Sequence, residues 1–478
     1  MTYDVIIIGA GLGGLTAGAK LSKEGKKVLL VEQHTLPGGC ATTFKRKDYL
    51  FEVGLHEMDG LHQRDLKTKI FRDLGVFDHV EFLRVPEFYR FVYKDYDITI
   101  PHDVEEAKAV LNTNFPDEKE GIDAYFHQLL NAREIIKNSK EEKEQNLGEF
   151  LDSIIRNEDL KLALLGNLGY FHDDPYTLSL SYYSVAQGSY YAGGGNFIKG
   201  GSQKLSDYLV EFIRGNGGEV ILNHLVTEII IENDKAVGIS YKNNKTNEVY
   251  SAHGEHIISN ASIPYVANKL LPKKQSEMLV EGISKREIGV SLLSIYFAFN
   301  KPLKEIGYNY YSTFIYDDSI EKMADIISNN KGDFEKRSFT FVDYGQIDSA
   351  LAPAGKGVGV ICSIDYVSDW NKLSAEDYQV QKEKVAQAFI AKMEKLIPGF
   401  VDCIDFHEVA TAKTVERYTL NAGGAVYGFA QTPERVKLEP LRTIENLYFA
   451  SAWTKVGGGF SGAIFNGYLT AYEIIRKR

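Results

Sequence analysis

The chain opens on Asp4-Val-Ile-Ile-Ile8, a β-branched run with no polar interruption, as expected of a parallel strand buried on both faces. Gly9-Ala10-Gly11-Leu12-Gly13-Gly14 follows, and Leu15, Ala19 and Leu21 then recur at roughly helical spacing as far as Gly25, a helix stop. Val28-Leu-Leu-Val31 predicts a second strand, closed by Glu32, so the unit is β–α–β. From about residue 63 to 190 the pattern turns charged and helix-favouring, as in residues 103–111 and 122–143, and predicts a solvated helical lobe. Gly200-Gly201-Ser202-Gln203 opens a helix that ends near Gly215, followed by strands over 220–222 and 226–232 and by a turn at 233–235 into 236–241, a small β-meander. Strand-like alternation returns over 287–300, 338–344 and 357–366. Residues 375–396 form an amphipathic helix, 446–450 a strand, and 461–477 a helix entered from the glycine-rich turn 453–459.

A lone G-x-G-x-x-G carries little, but here it joins a strand to a helix and is followed by the acidic Glu32, 18 residues after Gly14. Gly9 suits the tight turn, Gly11 lets backbone N–H groups approach a pyrophosphate, and Gly14 lets helix and strand pack closely. Leu12 and Gly13 begin the helix whose positive end faces the phosphates. Glu32 is placed to accept hydrogen bonds from an adenosine ribose, and its charge would repel a 2′-phosphate. The unit alone does not decide between NAD and FAD.

Charge and cysteine content narrow the classes. A net charge of −11 excludes the basic surface that nucleic acid requires. Cys40, Cys362 and Cys403 lie far apart with no C-x-x-C pair, which supports neither a disulfide framework nor a cysteine-rich zinc site and points to a reducing compartment, the cytoplasm. His253 and His256 form an H-x-x-H with no third ligand nearby and are read as a solvated pair. Met1 to Asp4 carry no basic leader, and no stretch reaches the ~20 apolar residues of a membrane span. Peripheral contact with a bilayer stays open. With 29 Tyr and 26 Phe against 2 Trp, the aromatic content suits an apolar chamber as well as it suits core packing. Residues 179–186 and Tyr190-Tyr191, just before Gly193-Gly194-Gly195, are the candidates for a chamber wall. At 478 residues the chain is expected to form two or three lobes.

After Glu32 a second glycine pair follows at Gly38-Gly39, and the whole start resembles the FAD-binding start of the flavin amine oxidase and phytoene desaturase superfamily. Glu32-Gln33-His34, Gly38-Gly39-Cys40, Thr43-Phe44 and Phe51-Glu-Val-Gly-Leu-His56 are most similar to the branch of phytoene desaturases, carotenoid isomerases and retinol saturases, retinol saturases above all. One position departs: retinol saturases tend to carry Tyr after that His, where this chain has Glu57. Residues 200–233 and the C-terminal block resemble the family too, as do Arg417-Tyr418, Gly423-Gly424 and Tyr427-Gly428.

The resemblance implies an α/β fold: a Rossmann-type FAD-binding domain of the glutathione-reductase kind, a parallel sheet plus β-meander, over residues 1–62, 191–275 and 411–478. It is interleaved with an α+β substrate-binding domain over 63–190 and 276–410. It further implies that Gln33, Gly39, Cys40, Ala41 and Thr42 lie along the cofactor, that Val226 meets adenine through its backbone, and that Gly458, Gly459 and Phe460 meet the flavin edge. His56 and Glu57 are the titratable residues expected nearest the ring, Glu57 as proton donor or acceptor if it sits in an apolar chamber. In the alternative, His56 only bonds backbone and Glu57 faces solvent. No second G-x-G-x-x-G follows a strand, Gly355-Lys-Gly357-Val-Gly359 lying within one, so an external electron donor or acceptor is expected. The implied activity is an FAD-dependent saturation or desaturation of a long apolar polyene such as a carotenoid, a retinoid or an unsaturated fatty acid. The alternatives are a redox-neutral double-bond isomerase or hydratase, and a non-enzymatic isoprenoid carrier like the related GDP-dissociation inhibitors.

Overall fold

A computed structural model describes residues 2–138, 144–437 and 444–477. The opening run forms β1 (Thr2–Ile8), which enters helix α1 (Leu12–Lys23) and returns as β2 (Val28–Val31). Val5, Ile6 and Ile7 are fully buried although their side chains alternate between faces, which is why this strand shows no polar alternation. β3 (Glu219–Ile221), β4 (His224–Glu232), β5 (Lys235–Asn243), β6 (Val249–Ser259) and β7 (Leu447–Phe449) complete the sheet, in the order β3-β2-β1-β6-β5-β4 with β7 beside β6. β1 pairs in parallel with both β2 and β6, while β4 and β5 run antiparallel: a parallel sheet extended by a meander.

A second seven-stranded sheet runs Ile404–Ala410, Ser291–Phe299, Gly357–Asp365, Phe339–Asp343, Ser312–Ile315, Tyr89–Tyr93 and Tyr96–Ile100. Its Phe297, Phe299 and Phe341 pack with Phe389 of the helix Ala375–Leu396 in one buried cluster. The hairpin Tyr89–Ile100 corrects the expectation of a purely helical lobe over 63–190, because Arg90, Lys94, Asp95 and Asp97 hide its strand character in the sequence. Arg90 folds back on Asp97 at 2.6 Å, so charges that suggested a solvated face stabilise a two-strand edge. Gly355 lies in the turn before its strand, at φ +74°, and only Gly357 and Gly359 belong to the strand. The end of the 122–143 stretch, residues 139–143, falls outside the described residues.

A third, three-stranded sheet joins the two larger ones: Met58–Asp59 and Phe82–Arg84 flank Gly195–Ile198. Its central strand leaves helix α2 (Leu180–Gly193) through Gly194. Helix α3 (Gly459–Arg476) closes the fold against α1, so tightly that a Cβ on Gly467 would overlap the Gly13 carbonyl oxygen.

Candidate functional site

The turn after β1 is built as the glycine pattern requires. Gly9 takes φ +93° while its N–H reaches Val31 O at 2.8 Å, and a Cβ on Gly14 would overlap the Gly9 carbonyl oxygen. Gly11 is the N-cap of α1 and Gly458 that of α3; neither helix has a side-chain cap, so the first N–H groups of both, including those of Leu12, Gly13 and Gly14, have no side-chain partner at the helix end. Glu32 is buried, its Oε2 accepting from Ala10 N at 2.6 Å and its Oε1 from His34 N at 2.9 Å. Burial lifts its carboxyl and these donors work against the lift.

The second glycine pair folds back onto the first turn, Gly38 N donating to Ala10 O at 2.7 Å and Gly39 lying against Gly11. Gln33 Nε2 reaches Tyr418 O at 3.3 Å. Ala41 O accepts from Ser206 Oγ at 2.7 Å, and Thr42 bonds Gln203. Desolvation pushes the Cys40 thiol up to about 11, which leaves it an uncharged packing group. Val226 is buried in β4 opposite Tyr241, where His224 N donating to Glu32 O ties the meander to the end of β2. His253 is exposed on β6 and His256 half-buried with Tyr448, three residues along and so on opposite faces.

A cavity of about 460 Å³ opens between four elements: the segment from His56 to Asp59, helix α2, the second sheet, and the turn into α3. Leu168, Val185, Leu292, Phe314, Ile364 and Phe465 give it an apolar wall, with Gly458, Gly459 and Phe460 at one boundary. Tyr182, Val185, Ala186 and Tyr190 supply the wall expected of residues 179–191, whereas Tyr183 and Tyr191 face the helical core instead. His56 and Glu57 both line the cavity and are 8% and 7% exposed, so the solvent-facing alternative for Glu57 does not hold. His56 Nδ1 is 3.2 Å from the Tyr170 hydroxyl and Nε2 is 3.3 Å from Cys362 Sγ. Burial lowers its pKa to about 4, so the ring is neutral, and burial raises the Cys362 thiol to about 12. Neither Glu57 carboxyl oxygen has a hydrogen-bond partner among the described residues. Burial, then the nearby Glu87 carboxylate, hold its pKa well above the usual carboxylate range, so it faces the cavity as a neutral acid.

Tyr170 and Cys362 escape sequence reasoning, because one sits in an irregular turn and the other in a strand of seemingly ordinary alternation. Only their shared contact with His56 marks them. Gly9, Gly11, Glu32, Gly39 to Thr42 and Val226 lie outside the cavity wall, along the edge of the first sheet.

The sequence pattern described as flavin containing amine oxidoreductase matches residues 12–475. The chain is 28% identical over 99% of its length to prolycopene isomerase of Daucus carota, covering 80% of that protein. It is 25% identical, again over 99% of its length, to all-trans-retinol 13,14-reductase of Danio rerio, covering 86% of it. In structure it is similar to an oxidoreductase from Methanosarcina mazei, with TM-score 0.67 and 17% identity over 98% of this chain and 99% of the other, which is a likeness of fold. A flavin suits the residues present: two helix N-termini whose N-cap residues are glycines, glycine turns too closely packed to admit a Cβ, and Gly459 with open space where a Cβ would stand.

Proposed function

This chain belongs to the flavin containing amine oxidoreductase family and is a flavin-dependent oxidoreductase; from that premise we propose that it binds FAD and saturates or desaturates carbon–carbon double bonds of a long apolar polyene, a carotenoid, retinoid or unsaturated fatty acid. The Gly9 to Gly14 turn beside the buried Glu32 supports a dinucleotide form of the flavin, its ribose at Glu32 and its phosphates at α1. Residues 1–62, 191–275 and 411–478 then hold the cofactor, and 63–190 and 276–410 the substrate.

The observation that carries this reading is a buried carboxyl group with no hydrogen-bond partner among the described residues, in the wall of a mostly apolar cavity. When bound, the flavin supplies hydride chemistry at its N5 atom. Leu292, Phe314 and Val185 line the cavity and give a flat apolar chain a surface to pack against. Glu57, held neutral, donates a proton to one carbon of the double bond during saturation; in the desaturating direction the same carboxyl, once ionised, takes the proton back. His56 stays uncharged between Tyr170 and Cys362 and adds no cation that would hold Glu57 ionised.

A second reading, a redox-neutral isomerase or hydratase, is favoured by the same neutral acid, and one relative is named prolycopene isomerase. A simple isoprenoid carrier would leave Glu57 without a task. Among the described residues no helix is long and apolar enough to cross a membrane, and we place the enzyme in the cytoplasm, in peripheral contact with the bilayer that dissolves its substrate.

The test is anaerobic bleaching of the bound flavin by candidate reductants, followed by reoxidation with a panel of polyenes and unsaturated fatty acids. Reoxidation with one double bond lost per electron pair is the result expected of a saturase, and bleaching of the oxidised flavin with one double bond gained per electron pair that of a desaturase. Product formed without net electron consumption selects the isomerase, and a colourless purified protein overturns both.

A further inference from the structure

Glu57 is held from behind by residues outside its own segment. Its carboxyl lies against Gly195, where a Cβ would overlap Glu57 Oε2 and stand 2.8 Å from Val85 Cγ2. The triple glycine Gly193-Gly194-Gly195 wraps Arg84, whose guanidinium donates to Gly193 O and covers Gly194. Two residues beyond Val85, Glu87 is buried, and its Oε1 accepts from Tyr311 N at 2.5 Å and Ser312 N at 3.1 Å. Tyr311 in turn donates its hydroxyl to His56 O at 2.5 Å, while Tyr190 donates to Glu57 O at 3.3 Å.

The charged groups that act on Glu57 are Glu87, Arg84 and Asp59, and the phenols facing it are Tyr170, Tyr190 and Tyr311. Asp59 is already compensated by Lys67 at 3.3 Å and by Ser461. Glu87 is therefore the like charge that matters. Two carboxylates in one dry region do not both stay ionised, and the proton settles where fewer donors stabilise the charge. Burial raises the Glu87 carboxyl too, but its two backbone donors and the Arg90 charge work against that rise, whereas Glu57 has no donor among the described residues.

We propose that Glu87 is a positioning residue for Glu57: its charge, pinned by the Tyr311 and Ser312 amides, obliges Glu57 to carry the proton, and the bare Gly195 leaves the room in which that protonated carboxyl stands at the cavity wall. The device rests on Glu57 being the proton donor of the proposed reaction, but its own test reads the proton directly. In the flavin-loaded protein the infrared carbonyl band of protonated carboxyls is followed against pH and assigned to Glu57 by its disappearance in Glu57→Gln. Glu87→Gln is expected to lower the midpoint of that band by about one pH unit or more, the size of a single near charge. Arg84→Gln, at an exposed position and with the opposite charge removed, is expected to raise it. Gly195→Ala is expected to cut turnover while the flavin absorption and the melting temperature stay near wild type. A midpoint that moves in neither charge variant, or a Glu57 band already absent at pH 7, overturns the proposal. If the midpoint moves as expected while Glu57→Gln keeps full turnover, the holding device stands and the catalytic assignment of Glu57 falls.

Discussion

Glu52 and Glu57 stand five residues apart, are both buried, and are treated in opposite ways by the fold. Glu52 accepts from Gly54 N, Leu55 N, Ser202 N and Ser202 Oγ, at 2.7 to 3.2 Å, and so ties the end of the strand Tyr49–Glu52, which pairs with Thr43–Arg46, to the Gly201-Ser202 turn. Glu57 accepts from nothing among the described residues and faces a cavity. Burying a carboxyl costs stability unless donors surround it. The first is therefore a structural joint, and the second is a buried carboxyl whose cost no hydrogen bond among the described residues offsets.

The comparison breaks first on function. Glu57→Gln is expected to lower turnover about 10²–10⁴-fold, the usual share of a general acid, with Glu52→Gln near wild type once folded; steady-state rates on the polyene found by the reoxidation panel decide it. It breaks next on stability. Glu52→Ala strands the buried N–H groups of Leu55 and Ser202, besides that of the exposed Gly54, and is expected to cost ~2–5 kcal/mol in denaturant unfolding, whereas Glu57→Leu should stay within ~1 kcal/mol of wild type or gain.

Titration sharpens the contrast. Burial outweighs the four donors and raises Glu52 to about 7, above its unfolded value of 4.5. The unfolded chain releases this proton first as pH rises, so wild type should lose up to ~3 kcal/mol relative to Glu52→Gln between pH 4.5 and 7. For His56, lowered from 6.5 to about 4, the sign reverses. The unfolded chain gains its proton first as pH falls, and wild type should lose up to ~3 kcal/mol relative to His56→Asn between pH 6.5 and 4. Melting curves of each pair across the window read these slopes. The smallest effect belongs to Gly459→Ala: its Cβ meets no atom, so only the positive φ of +71° is penalised, by ~1 kcal/mol, with flavin affinity the more sensitive readout.

Much of the first sheet was legible in the chain. β1, α1, β2 and the final helix follow from runs and spacings only a few residues long, and the glycine pairs lie where turns demand them. The hairpin at Tyr89–Ile100 was not, because its ion pair Arg90–Asp97 reads as solvated charge until the strands are paired. The site divided in the same manner. His56 and Glu57 stand out as titratable residues in a glycine-rich stretch, while Glu87, Tyr170, Tyr311 and Cys362 carry no local signal and acquire their meaning only from what they touch.

The sequence by itself determined the β–α–β unit, its glycine turns and the family, because backbone geometry and burial on two faces leave marks on adjacent residues. Tertiary structure alone decided that Glu57 is buried with no donor among the described residues while Glu52, five positions earlier, accepts four hydrogen bonds. The donors and neighbouring charges come from residues 87, 202 and 311 and the room beside Glu57 from residue 195, and distance along the chain says nothing of distance in space.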